Sequence, residues 1–450
     1  MRNFTAYSRT IVLAALIAVT AGLSGCDTLK RLDPFDKKQK PLPGERIAVL
    51  ANERSLRADV APGEANVVLP APTPNDSWPM AGGYANHAMH HIAVRDNIDE
   101  VWSRDIGTGA DDELRFVATP IVGDGVVFAL DTESELTAYR LDDGDTIWDL
   151  DLEPEEDDEG HIGGGIAYER GRVFVATGFG VVFAVDAKTG QVVWQERIGI
   201  PMRVQPTVRG GRVFVVTVDN NLIALDARDG KTLWTHQGSQ ETAALLGGAS
   251  PAVDNGIVVV PYSSGELYAL RADTGRVQWQ DNLVSIRRTD AVASLAQIRG
   301  RPVIDRGRVI AISHAGVMAS IDLRTGRRNW AREIGGTESP WIAGDYIYTI
   351  TNENELICVS REDGKVLWVT GLPRFEDPED KEDPIIWTGP ILVSDRLIVA
   401  GSNDEALAIS PYNGRLLGTV ELPDGVSVPP IVANGSVIFL ANDADLVVYR

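Results

Sequence analysis

One short hairpin is written over and over in this chain. "AVDAKTGQVVWQ" from Ala184 returns as "ALDARDGKTLWT" from Ala224, "ALRADTGRVQWQ" from Ala269, "SIDLRTGRRNWA" from Ser320 and "CVSREDGKVLWV" from Cys358. Counted on the turn glycine, copies fall at Gly144, Gly190, Gly230, Gly275, Gly326, Gly364 and Gly414. Their spacing of 38 to 51 residues is that of a four-stranded propeller blade, with roughly five to six residues per strand plus turns. Helical repeats of similar length exist, but these segments alternate with period two and are rich in Val, Ile, Phe and Tyr, as in "RVFVATGFGVVFAVD". That is strand, turn and strand.

The third strand of the unit occurs eight times, beginning at Glu135, Gly180, Asn221, Glu266, Gly316, Glu355, Glu405 and Asp445. The last copy, "DLVVYR", has no fourth strand after it, but "EVWSRDIG" (Glu100–Gly107) supplies one, with Trp102 in the tryptophan position. The chain is therefore expected to be all-β: an eight-bladed β-propeller of four-stranded antiparallel blades. Its first strand completes the last blade and closes the ring, removing two free edges. Trp102, Trp148, Trp194, Trp234, Trp279, Trp330 and Trp368 mark one place per blade, with Gly418 the exception. Rings at a fixed place bury against the next blade, and each indole N–H finds a backbone acceptor there. They read as inter-blade cement, not a binding cage. The turn glycines supply φ > 0, and Asp186, Asp226 and Asp322 cap the turn amides.

The ends carry addresses rather than fold. Ile11 to Leu23 is a 13-residue apolar run behind Arg2 and Arg9, of secretory length and short of the ~20 residues that span a bilayer. "LSGC" (Leu23–Cys26) follows and resembles the bacterial lipobox, which implies cleavage before Cys26 and lipid on its thiol and new amino terminus. A soluble periplasmic protein cut at another small residue is the alternative. Residues 1–25 are thus a lipoprotein signal peptide. Residues 26–75, rich in Pro and charge as in "KKQKPLPGER", read as a lipidated flexible tether, and 76–450 as the propeller. Roughly 49 flexible residues give a reach of about 40 Å.

Several function classes fall away. The net charge of −22 becomes −24 once Arg2 and Arg9 leave with the signal, which disfavours nucleic acid and anionic head groups as partners. With Cys26 lipidated, only Cys358 is left, so no intrachain disulfide forms. Cys358 stands where other copies have Ala or Ser and reads as a buried small residue. The acidic runs Asp151–Glu159 and Phe375–Pro384 read as solvated loops, lacking the ligand spacing of a calcium loop. "HAMHH" (His87–His91) invites a metal reading, but without a second ligand cluster it reads as polar packing where the chain enters the ring. No Ser/His/Asp set can be assembled from the six histidines. No catalytic, metal or cofactor-binding residue is assigned, and no enzyme activity is expected.

The element A-x-D-x-x-T-G-x-x-x-W resembles the repeat of pyrroloquinoline-quinone-type propellers, over residues ~100 to 450. The dehydrogenases of that superfamily carry adjacent cysteines, a calcium and a catalytic Asp; this chain has no Cys–Cys pair. Its layout of lipobox, tether and one ring resembles the BamB family of lipoproteins of the outer-membrane β-barrel assembly machinery. "DSWPMAGGYANHAMHH" (Asp76–His91) is also similar to the W-P-x-x-G-G opening of these propellers. The resemblance implies a non-enzymatic scaffold on the periplasmic face of the outer membrane. It would bind the POTRA domains of BamA beside other components of the complex, and would assist unfolded outer-membrane proteins. By resemblance, docking uses the loops at Ala243–Pro251, with Leu245 and Leu246, and at Ser285–Pro302, with Arg287, Arg288 and Arg299. The second loop also opens the longest interval and puts positive charge on an acidic protein, which suits a partner patch. A loop that only covers a blade edge is the bland alternative. The family pattern has a Leu-Arg pair in the first loop and acidic residues in the second, where this chain has Leu246-Gly247, Gln297 and Arg299. Asp27 resembles the inner-membrane retention signal of enteric bacteria, which leaves an inner-membrane location open. A ligand-binding or quinoprotein redox propeller in the periplasm is the second functional reading.

Overall fold

The structure, a computed structural model, describes residues 56–450 apart from 62, 112, 155–162, 242–244 and 285–295. Ser55–Arg450 form one compact unit, and no helix is found among the described residues. Eight four-stranded antiparallel sheets follow one another. Blade 1 spans Ile121 to Asp151, blade 2 Gly164 to Arg197, blade 3 Thr207 to Gln237 and blade 4 Ala252 to Asn282. Blade 5 spans Val303 to Arg332, blade 6 Trp341 to Gly371 and blade 7 Trp387 to Glu421. Blade 8 joins Ile431–Ala433, Ser436–Leu440 and Asp445–Tyr449 to Glu100–Asp105. The register is Trp102↔Val448, Ser103↔Val447 and Arg104↔Leu446. The closure expected from the sequence is the observed one.

Alternation along each strand explains the packing. Second and third strands, such as Arg172–Thr177 and Val181–Asp186, are buried on both faces, because each lies between two neighbouring blades. Fourth strands alternate exposed and half-buried residues around the tryptophan, as in Val192–Arg197. All seven tryptophans donate their indole N–H to a carbonyl of the next blade at 2.8 to 3.1 Å: Leu141, Ala187, Ala227, Ala272, Leu323, Arg361 and Pro411. Asp186, Asp226 and Asp322 accept turn amides as expected.

The turn glycines do more than supply φ > 0. Gly144 has φ +72°, and a Cβ there would lie 2.7 Å from the Trp102 ring of the preceding blade; the other six turn glycines meet the preceding blade's tryptophan in the same way. Glycine and tryptophan are thus two halves of one contact across each blade boundary. Gly418 fits the rule. In blade 8 the third and fourth strands come from opposite ends of the sequence, so no hairpin turn is there to be covered, and Gly418 faces open space.

Two segments differ from the sequence reading. Residues 56–61 and 63–70, read as part of the tether, lie against blades 5 and 6. The Asp59 N–H donates to the Val366 carbonyl at 2.7 Å, and its carboxylate accepts from the Val366 N–H and pairs with Arg332 at 2.7 Å. The Tyr346 hydroxyl donates to the Asn66 carbonyl, and Val67 is buried in the core. These are isolated contacts without a strand period, so hydrophobic patterning could not show them. The acidic run at Phe375–Pro384 forms an exposed hairpin, Phe375–Asp377 with Glu382–Pro384, because the Asp377 carboxylate caps its turn. Of the run at Asp151–Glu159, residues from 155 on lie outside the described ones.

Candidate functional site

The turns joining first to second and third to fourth strands lie on one face of the ring, here the turn face. The opposite face carries the second-to-third turns and the loops between blades. Residues 75–94 close the axis towards the turn face by bonding the inner strands one after another. Asn75 bonds Val432 and Asn434, Trp78 pairs with Val122, and the Pro79 carbonyl accepts from Tyr168. The carbonyls of Ala85, Asn86 and His90 accept from Val253, Ile304 and the Trp341 indole, and Ile92 bridges Val393. "HAMHH" belongs to this plug. His87 Nδ1 bonds the Pro302 carbonyl at 2.8 Å, and His91 Nδ1 bonds the Pro70 carbonyl at 2.7 Å. The sequence reading of polar packing at the ring entrance describes both contacts.

On the other side of the plug the inter-blade loops line a funnel. Thr119, Gly165, Gln205, Ser250, Arg301, Ser339, Gly389 and Pro429 occupy equivalent positions, three residues before each inner-strand pairing site, and five of them, Thr119, Arg301, Ser339, Gly389 and Pro429, wall one central cleft. Arg301 is the one charged member. Gln205 laces three blades, accepting from Thr119 and donating to the Thr119 and Ile166 carbonyls. Glu338 accepts from Arg299 at 3.4 Å through one oxygen, and from Thr388 and the Gly389 N–H at 3.2 and 3.3 Å through the other.

The two loops singled out from the sequence meet at the funnel mouth. Gln297 is buried and ties them, with Oε1 accepting from the Leu245 N–H at 2.5 Å and Nε2 donating to the Gly247 carbonyl at 2.9 Å. Gly247 has φ +77°, and a Cβ there would lie 3.8 Å from Arg299 Nε. Leu246 is left 37% exposed and Leu245 half-buried. An apolar cleft beside them is walled by Val204, Val216, Val218, Leu245 and Ile298. The structure therefore brings together Leu245, Leu246 and Arg299; Arg287 and Arg288 lie outside the described residues. Gln297 and Arg301 carry no motif. The signal in the sequence was their place in "QIRGRP", two blade-lengths after "RVQP".

The funnel does not fit a quinone cofactor with its metal. Its floor and wall clefts have volumes of about 30 and 60 Å³, too small for a tricyclic ring system. Among the described residues no three His, Cys, Asp or Glu side chains gather to hold a cation. Cys358 is far into the blade core, where burial pushes its thiol well above the ordinary range.

Fold and site together define an eight-bladed propeller of the quinone-repeat type whose axis is closed by a plug on one side and lined by inter-blade loops on the other. The family model described as outer membrane protein assembly factor BamB matches residues 132–370. The assembly factors BamB of Salmonella typhimurium and of Escherichia coli K12 are each 30% identical, covering 76% of this chain and 86% of theirs. Among solved structures, BamB from Moraxella catarrhalis superposes with TM-score 0.67 at 18% identity, over 79% of this chain and 100% of that one. A quinohemoprotein alcohol dehydrogenase from Pseudomonas putida HK5 shares the ring at TM-score 0.62 and 14% identity, over 85% and 83%. The chain belongs to the BamB family of outer membrane protein assembly factors.

Proposed function

We propose that this protein is a non-enzymatic scaffold of the β-barrel assembly complex, held on the periplasmic face of the outer membrane by lipid on Cys26. It binds the POTRA domains of BamA through the loop pair at the funnel mouth and so assists insertion of barrel proteins. What supports the reading is the Gln297 tie, which bonds both neighbours of the exposed Leu246 and joins its loop to the one that carries Arg299. Preformed loops lose little entropy on docking, and an apolar side chain beside a guanidinium is the kind of anchor that interfaces use. The sequence around Ser285–Pro302 carries Arg287, Arg288 and Arg299 on an otherwise acidic protein, which suits an acidic partner.

The test is co-purification from detergent-solubilised membranes with the lipidated protein as bait. BamA is expected in the eluate of the unaltered chain and lost from that of a Leu246→Asp, Arg299→Glu double variant. An eluate without BamA from the unaltered chain contradicts the reading. Reduction of a redox dye on addition of pyrroloquinoline quinone and calcium would favour the enzymatic alternative.

A further inference from the structure

The floor of the funnel holds a concentration of unspent hydrogen-bonding capacity. Trp78 Nε1, His87 Nε2 and Arg301 Nε are each sealed from solvent with no protein partner, and all three residues wall the same small cleft. Trp78 and His87 are themselves 2% and 6% exposed. A Cβ added at Gly82 would touch Arg301 Nε and His87 Cδ2, each at 3.2 Å, which brings the two side chains to opposite sides of one spot. A buried polar atom left unpaired costs about 1–3 kcal/mol, and three such atoms on residues that wall one cleft call for an occupant.

Their chemistry defines it. The Pro302 carbonyl can only accept, so His87 Nδ1 carries the proton and Nε2 presents a lone pair. Burial and the Arg301 cation hold the imidazole down to about 3, so it is neutral at ordinary pH. Trp78 and Arg301 are donors. Among the described residues no carboxylate lies within ion-pair distance of Arg301, because Glu338 spends its oxygens on Arg299, Thr388 and Gly389. Burial, only partly offset by the more distant Glu338 carboxylate, lowers the guanidinium to about 10. The occupant must therefore carry negative charge, accept from two N–H groups and donate one hydrogen to a lone pair. Size sets the last limit: the floor cleft of about 30 Å³ shares Thr119, Arg301 and Ser339 with the neighbouring cleft of about 60 Å³.

We propose that the funnel floor is a binding site for a small inorganic oxyanion that bears a hydroxyl, of the hydrogen phosphate type, held by Trp78, His87 and Arg301. It differs in chemistry from any quinone site, and it stands independently of the partner reading. The negative charge of the whole protein opposes the anion, so binding depends on the Arg301 guanidinium, which has no carboxylate at ion-pair distance among the described residues.

Sulfate is the discriminating control, since it matches phosphate in shape but has no hydroxyl to give His87. Calorimetric titration of the full lipidated chain in detergent at about pH 6, at constant ionic strength, is expected to show phosphate bound at least about tenfold more tightly than sulfate. Trp78→Phe, which keeps the ring and removes one donor, weakens phosphate about tenfold, and Arg301→Met abolishes binding. Should Arg301→Met fail to fold, the Trp78→Phe result decides. Glycerol 3-phosphate, which has the chemistry of a lipid head group, is too large and gives no binding. Equal affinity for sulfate, undiminished binding in either folded variant, equally tight glycerol 3-phosphate, or no heat with phosphate would each overturn the assignment.

Discussion

Replacing Gly144 by alanine tests the physical link between the two most repeated residues of the chain. Two costs are expected. Gly144 sits at φ +72°, where an L side chain loses roughly 1–2 kcal/mol. The new Cβ would also lie 2.7 Å from Trp102 Cδ2, an overlap that typically costs about 1–3 kcal/mol where the ring cannot move freely. Trp102 cannot, being 5% exposed and bonded to the Leu141 carbonyl. Gly125, in the same blade at φ +78°, has nothing within 4 Å of its would-be Cβ and isolates the first cost. Urea unfolding of the unlipidated chain, followed by far-UV circular dichroism, should put Gly144→Ala about 1–3 kcal/mol below Gly125→Ala. Against a Trp102→Ala background that difference should vanish. Equal costs for the two glycine variants, or a gap that survives loss of the indole, would refute the claim that each turn glycine exists to seat the neighbouring blade's tryptophan.

Other outcomes can be read with similar tools. Trp279→Ala, which empties a buried inter-blade site, should destabilise by about 3–5 kcal/mol in the same unfolding assay. His87 is held below its unfolded value, so the folded state binds fewer protons than the unfolded one between about 6.5 and 3. Its contribution is therefore complete above about pH 6.5 and is lost on acidification, by up to ~1.4 kcal/mol per pH unit; His87→Gln should flatten that part of the stability–pH curve. Gln297→Ala unties the two funnel loops, and thermal unfolding should show a loss of about 1–3 kcal/mol from the unpaired Leu245 and Gly247 groups.

Period, count and closure were legible in the sequence because propeller strands alternate with period two and repeat their turn chemistry. Trp102 could be matched to the last blade from "EVW" alone. The tryptophans were legible as inter-blade cement, but the turn glycines carried only a local reason, and that the ring of one blade rests on the turn glycine of the next stayed hidden. The plug from Asn75 to Val94 was legible only as polar packing, since most of its bonds are backbone to backbone and leave no mark in side-chain pattern. The strap at Asp59–Thr73 was missed for the same reason. In the site, Leu245, Leu246 and Arg299 were marked by resemblance, whereas Gln297 was noticed only as a departure. Its role as the tie depends on a 52-residue separation that no local pattern encodes.

The reading of the funnel mouth as the docking face is tested most directly by site-specific photo-crosslinking in living cells. A photoreactive amino acid at Leu246, on the loop face, is expected to capture BamA, while one at Asn255, in the blade 4 turn on the opposite face, captures none. An adduct from Asn255 without one from Leu246 would contradict the account.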